Sequence, residues 1–381
     1  MEIRLPPEVE ELRRSVRSFA EGELEPFAEE IDRKGRVPDA LWTKLRDAGY
    51  LGVRLPEAYG GSGMDFLSYC VVVEELGRIH RVLTLMVDAT NGLGPNAILK
   101  SGSDEQREAY VRPIGEGRLR MAFALTEPEA GSDAAGIRTR ARQTDGGWSL
   151  TGRKHYISGA DVADLICVIA VTDPEKGARG GVTAFLVPRG TPGLTVTRVD
   201  TTIGSDAVKL AELTFEDCEV PDGAVLGEVG NGFRIAMQTL AEGRLCVACA
   251  CVGMADRLLA MMSAHARERQ TFGQPLASRQ AIQWMIADSA VEMTVARSLA
   301  YEVAGRIVAR EDPGVGPSMA KLYASEMVGR VSDRAVQVFG GQGLIRGFPV
   351  ERFYRGVRHY RIGEGSSEMQ RMIIARAYLK G

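Results

Sequence analysis

At 381 residues the chain is too long for one small domain, and roughly 100–200 residues per domain predicts two or three units. Its 45% hydrophobic and 25% charged residues exclude wholesale disorder and a fibrous repeat. With 47 basic against 50 acidic residues, net −3, there is no general attraction to nucleic acid or anionic membrane.

The N-terminal third alternates apolar and charged positions at helical period. Helices are expected over residues 8–33, opening after Pro6-Pro7, over 39–48 with Gly49 as C-cap, and over 66–78 after the breaker Gly60-Gly61-Ser62-Gly63. After Pro113 the period changes. Short strands at 148–150, 165–171, 182–187, 194–199 and 211–215 are separated by Asp145-Gly146-Gly147, Gly180-Gly181 and Pro192-Gly193, the pattern of an antiparallel barrel or sandwich. From Gly232 helices return at 233–262, 281–309 and 317–339, apolar on most sides, as in a bundle core or an oligomer interface. The α–β–α order has no repeat and no βαβ alternation, so a doubly wound nucleotide-binding sheet is not expected.

The apolar run 162–171 contains Asp164 and is about half a bilayer span, so no membrane-crossing helix is expected. The opening Met1-Glu2-Ile3-Arg4-Leu5-Pro6 lacks a signal-peptide pattern. Six cysteines stand at 70, 167, 218, 246, 249 and 251. The last three fall inside a long apolar helical pattern without a fourth ligand nearby. They read as small buried residues rather than a metal site, and no metal is expected. A reducing, bacterial-cytoplasmic compartment is the corresponding expectation.

No G-x-G-x-x-G, Walker lysine, G-x-S-x-G elbow or H-E-x-x-H is present, and four scattered histidines leave little material for a triad. A carboxylate is the expected base. Three segments put polar groups where a core would not want them. Leu125-Thr126-Glu127-Pro128-Glu129-Ala130-Gly131-Ser132-Asp133 is a strand running into a turn dense in backbone donors and hydroxyls, suited to a polar ring or a phosphate, or to an ordinary surface turn. Arg269-Gln270-Thr271-Phe272-Gly273 combines a cation, a hydroxyl and an aromatic, suited to a pyrophosphate beside a ring system. In Ile362-Gly363-Glu364-Gly365-Ser366-Ser367-Glu368-Met369-Gln370, Ser366 or Ser367 can cap the last helix, with Glu368 as a first-turn anion. Glu364 between glycines has no such explanation, and the glycines permit close approach of another molecule.

In this order on an α–β–α chain, these segments resemble the acyl-CoA dehydrogenase family of flavoproteins over nearly the whole length. The run Thr126–Asp133 matches T-E-P-x-A-G-S-D, and Glu364–Arg371 matches E-G-[ST]-[ST]-E-x-Q-R. Support comes from Val338-Phe339-Gly340-Gly341-Gln342-Gly343 and Gly227-Glu228-Val229-Gly230-Asn231-Gly232-Phe233. The resemblance implies a multidomain α+β fold: an N-terminal helical domain over 1–120, an antiparallel β-barrel domain over 121–230 and a four-helix bundle over 231–381. It further implies FAD, an acyl-CoA substrate, an electron-transferring flavoprotein as acceptor, and a homotetramer built as a dimer of dimers.

By the same resemblance Glu364 is the catalytic base. Phe123, Leu125, Thr126 and Ser132 would touch the flavin or, for Ser132, also the thioester arm. Tyr156-Ile157-Ser158 resembles W-I-T beside the flavin. Arg269, Thr271, Phe272, Gln280, Gln337, Gly340 and Gly341 would hold the pyrophosphate and adenosine half across a subunit boundary, closed by Ser366 and Glu368. Arg244 and Gly365 would contact the substrate. A minority of the family carries its base just before this arginine, where Gly243 stands here. Departures are Ala241 for aspartate, Gly363 for tyrosine, Gly356 for aspartate, and Tyr156, Ser158 and Gly159 for Trp, Thr and Asn. They bear on acyl specificity rather than reaction type. A carrier-protein thioester dehydrogenase, or a flavin oxidase or monooxygenase on the same scaffold, is the alternative. Residues 87–92 match the far end of the acyl pocket, with Asp88 pointing either into it or outward.

Overall fold

The computed structural model describes residues 4–380, so residues 1–3 of the opening segment read for a signal pattern lie outside it. Helices occupy both ends of the chain and eight strands the middle. The strands are β1 (Met121–Ala124), β2 (Arg140–Thr144), β3 (Gly147–Ser158), β4 (Leu165–Val171), β5 (Val182–Pro188), β6 (Leu194–Thr202), β7 (Ser205–Pro221) and β8 (Val225–Leu226). They form one sheet in the order β6-β7-β3-β2-β4-β5-β8, with β1 beside β4. The path ends at β6 and β8 and does not return on itself, so the sheet is open where a barrel was expected. Nor is it wholly antiparallel, because β1 and β2 both pair with β4 in parallel.

Strand β4 shows why the middle of the chain anchors both ends. Its side chains alternate between two apolar clusters, as a period of two requires. Ile166, Val168 and Ala170 join Phe185, Leu150 and Phe215 inside the sheet's own core. Leu165, Cys167 and Ile169 face Ile98, Ile114 and Ile235, contributed by helices on either side in sequence.

The N-terminal helical reading holds with one break. Residues 8–33 divide into Pro7–Phe19, a π turn at Ala20–Leu24, a 3-10 turn at Glu25–Phe27 and Ala28–Lys34. Pro26 lacks the N–H that a continuous helix needs there. Gly49, with φ +78°, ends Asp39–Asp47 as expected. The long helices are Gly232–Glu268, Gln280–Val308 and Gly316–Phe339. The first is long and apolar enough by length and composition to cross a bilayer, a feature the 162–171 run did not anticipate. Two-thirds of its apolar window is buried in the protein. Cys246, Cys249 and Cys251 lie in that buried stretch among the core residues.

That helix crosses Phe66–Gly77 at van der Waals contact. A Cβ on Gly253 would overlap the Glu74 carbonyl, and one on Gly77 would stand 2.9 Å from the Ala250 carbonyl oxygen. The crossing also carries buried charge. Glu75 accepts from Arg17 Nε and Nη2 at 2.8 Å each, and Glu74 takes Arg297 at 2.8 Å and the Tyr301 hydroxyl at 2.6 Å. Gly253→Ala should therefore destabilise the fold by ~1–3 kcal/mol, the usual result of overpacking. A lower urea midpoint at unchanged slope would show it, and an unchanged midpoint would refute the close approach.

Candidate active site

The turn before the last helix, Ser367–Leu379, is set by two consecutive left-handed residues, Glu364 (φ +54°) and Gly365 (φ +90°). A side chain in this region is uncommon and persists only where its surroundings hold it. Here they do. Lys321 Nζ donates to the Gly365 carbonyl at 2.7 Å. Gln370 Nε2 donates to the same oxygen at 2.9 Å and to the Glu364 carbonyl at 3.2 Å. Arg244 Nε reaches the Glu364 carbonyl at 3.4 Å. Ser366 caps the helix, accepting from the Met369 N–H at 3.4 Å.

These contacts use the backbone and leave the carboxylate free. Glu364 Oε2 is buried without a hydrogen-bond partner among the described residues. The carboxylate lies against Gly243 and Leu93, and a Cβ at 243 would overlap it. Burial pushes its pKa up to about 8, and the Asp88 carboxylate adds to the rise, while Arg244 and Lys321 pull the other way. Such a group is a base strong enough for a carbon acid and has no competing partner.

Asp88 turns inward and faces the same space, which decides the orientation left open by the sequence. Its pKa rises to about 6 through burial, with the Tyr69 hydroxyl 3.5 Å away donating to Oδ1. Glu242, the acid next to Gly243 on its helix, is committed elsewhere. It pairs with Arg54 at 2.7 Å and with Lys100, and accepts from Asn96 at 3.0 Å. Arg54, Lys321 and Asp88's partner Tyr69 are absent from the sequence-derived set. They come from distant segments and carry no local signal. Gln370 lies within the Glu364 motif, whose fixed spacing could have identified it.

A second group forms on the sheet. Lys154, wholly buried, donates to Glu127 Oε1 at 2.7 Å and to the Leu125 carbonyl at 2.9 Å. Glu127 also accepts from the Arg138 N–H at 2.6 Å and the Thr139 N–H at 2.9 Å. The His155 N–H donates to the Thr126 carbonyl at 2.9 Å, so Thr126 and residues 156–158 lie side by side. Phe123 and Thr126 are half-buried, while Ser132, Tyr156 and Ser158 are exposed. Tyr156 has φ +59° and stacks on His155 at 3.9 Å. Leu125 and Ile157 are core residues, leaving their backbone as the part able to meet a cofactor.

A third group lies at the far ends of two long helices. Arg269 precedes the ribbon Gln270–Thr271/Gln274–Pro275, and Phe272 sits in its turn. Phe272, with φ +49°, is 98% exposed, and Thr271 Oγ1 is buried without a partner. His265 stacks on Phe339 at 4.2 Å and brings this loop beside exposed Gln337, Gly340 and Gly341, with Gln280 exposed nearby in sequence. A Cβ on Gly340 or Gly341 would meet nothing within 4 Å. No hydrogen bond or ion pair joins this group to Glu364 or Thr126 among the described residues. An orphaned hydroxyl, a free cation, an uncovered aromatic and open glycines together fit a dinucleotide.

An unpartnered carboxylate of raised pKa, apart from a surface that suits a dinucleotide, fits a flavin-dependent oxidoreductase. The chain belongs to the acyl-CoA dehydrogenase family and is FAD-dependent. It matches the family's N-terminal domain over residues 6–118, its middle domain over 122–218 and its C-terminal domain over 230–379. It is 37% identical over 380 residues, all of both chains, to the probable acyl-CoA dehydrogenase YngJ of Bacillus subtilis. To the caffeyl-CoA reductase–Etf complex subunit CarC of Acetobacterium woodii it is 38% identical over 97% of each chain. The solved butyryl-CoA dehydrogenase of Megasphaera elsdenii superimposes with a TM-score of 0.95 at 36% identity over the full length of both.

Proposed function

We propose that the protein dehydrogenates an acyl-CoA thioester to its 2,3-enoyl product, with Glu364 removing the α-proton. The observation that carries this reading is the buried, unpartnered Glu364 Oε2 in a space shared with Leu93 and Gly243. Bound FAD supplies the acceptor for the hydride leaving Cβ. The chain's part is to bind, to orient and to take the proton. Phe123, Thr126, Ser132 and the 156–158 backbone would hold the flavin end. Arg269, Thr271, Phe272, Gln280, Gln337, Gly340 and Gly341 would hold the dinucleotide half, with Ser366 and Glu368 closing over it. The Glu364 N–H makes no backbone hydrogen bond, so it is available to a thioester oxygen as negative charge develops there. Gly365 and Arg244 border the same turn as substrate contacts.

A homotetramer accounts for features that a single chain leaves open. Trp284, Val291 and Val295 are exposed along one side of helix Gln280–Val308, at spacings of seven and four residues. A neighbouring subunit covering that side would also bring the Arg269 loop to another subunit's flavin. An electron-transferring flavoprotein as acceptor is supported by the likeness to an Etf-complex subunit.

The test is anaerobic bleaching of the flavin by a panel of acyl-CoA thioesters across pH. Since Glu364 acts only when ionised and holds its proton up to about pH 8, kcat/KM should rise with pH and level off above about 8. Flavin that stays yellow with every thioester would end this reading. A profile falling over that range would remove the ionised carboxylate from it.

A further inference from the structure

The helix Arg81–Asn91 opens with a guanidinium that has no acid. Arg81 is 5% exposed, and its Nε and both terminal nitrogens are buried without hydrogen-bond partners among the described residues. Asp32, which reaches the preceding His80 at 3.2 Å, is shared with Arg352 at 3.6 Å. Around Arg81 stand the Tyr360 ring, its centroid 5.7 Å from the guanidinium carbon, the Cys251 thiol and His359. Burial, with the Arg81 and Lys321 cations behind it, pushes the His359 pKa down to about 3, so that ring is neutral and offers no counter-charge. The Tyr360 hydroxyl, shared with Thr84 at 3.4 Å, is a neutral acceptor beside the guanidinium and engages at most one of its five N–H groups.

Open space lies beside this group. Gly356 is buried on helix Pro349–Val357, yet a Cβ there would meet nothing within 4 Å. Gly204, in the β6–β7 turn, closes the other side. A Cβ on it would stand 2.9 Å from Gly356 Cα and 3.3 Å from the Arg81 Nη1. A buried guanidinium with unmet donors is unfavourable until an anion joins it, and its planar fork suits a carboxylate.

We propose that Arg81, with the open side of Gly356 and with Gly204 as a wall, forms a carboxylate-binding pocket. Arg81, Thr84 and Asp88 recur at three and seven residues along one side of their helix. This puts the pocket about 10 Å, two turns, from the part of the helix that faces Glu364. The carboxylate is then either the distal end of a medium-length acyl group or a free small carboxylate. The first source rests on the dehydrogenase reading, and the second does not.

The experiment compares FAD-loaded wild type, Arg81→Met, Gly356→Ala and Gly356→Asp. In Gly356→Asp the new side chain would occupy the pocket as an internal counter-anion. One arm measures bleaching kcat/KM for sebacyl-CoA against decanoyl-CoA, which have equal chain length with and without the terminal carboxylate and span about 10 Å beyond Cα. The other measures thermal stability in sodium formate against sodium chloride. An acyl source predicts that the sebacyl-to-decanoyl ratio falls about 10²-fold in Arg81→Met and Gly356→Asp but persists in Gly356→Ala. A free source predicts a formate-specific rise of at least ~2 °C in the wild type, lost in the same two variants. Should Arg81→Met fail to fold, Gly356→Asp against Gly356→Ala makes the same comparison. Absence of both responses, or responses unchanged in the variants, would overturn the pocket. Bleaching by decanoyl-CoA reports the dehydrogenase reading separately.

Discussion

Glu364→Gln is expected to remain folded and yellow while losing at least ~10³ in turnover, the range of a positioned general base, or about 4 kcal/mol of barrier. The structure makes this substitution a clean one. Arg244, Gln370 and Lys321 hold the turn through the carbonyls of Glu364 and Gly365, and none of them donates to the carboxylate. The amide therefore costs the fold no hydrogen bond. It removes the ionisable group of the side chain, whose proton affinity burial has raised, and leaves the Glu364 N–H in place. Rapid-mixing measurement of flavin bleaching with a reactive thioester reads the loss, and the visible spectrum reports retained FAD. Near-normal turnover would shift the role to Asp88, the other carboxylate facing the space. Glu242 cannot take it up while Arg54, Lys100 and Asn96 hold both its oxygens.

How much of this was legible in the sequence depends on the range of each interaction. Long helices were readable because periodicity is local, and 317–339 differs from Gly316–Phe339 by one residue. The break at Pro26 was equally local, and the apolar period running through it concealed it. Strand positions were readable but their closure was not. Alternation along β4 says that both faces are buried, not that β1 and β2 lie parallel to it and leave β6 and β8 as ends. At the site, Glu364 stood out because glycines on both sides fit no helix. The left-handed φ at 364 gives that pattern its cause. The long-range partners had no such mark. Lys321 is 44 residues from Gly365, and Arg54 is far from Glu242. No spacing rule links them, and only the packing of helix Gly316–Phe339 and residues 50–54 against the site brings them there. Arg81 was equally silent, because a buried arginine without an acid looks in sequence like any helix-opening cation.

The second large effect is expected at Lys154→Met. This side chain is wholly buried, and its ammonium joins Glu127 and the Leu125 carbonyl at the end of β1. Methionine fills similar volume but leaves the Glu127 carboxylate, 4% exposed, without a counter-charge. Two backbone donors at 138 and 139 would remain to it. Removing one partner of a buried pair typically costs about 3–5 kcal/mol, much more than the intact pair contributes. The cost is paid where the chain presents Thr126 and residues 156–158, so FAD should dissociate more readily as well. Adding Glu127→Gln removes the stranded charge, and the double variant should recover part of both losses. FAD retained on desalting and the urea midpoint measure the two effects. A Lys154→Met protein as stable and as yellow as the wild type would mean that Glu127 is held by its backbone donors alone. The ammonium would then not be what fixes the turn at Thr126.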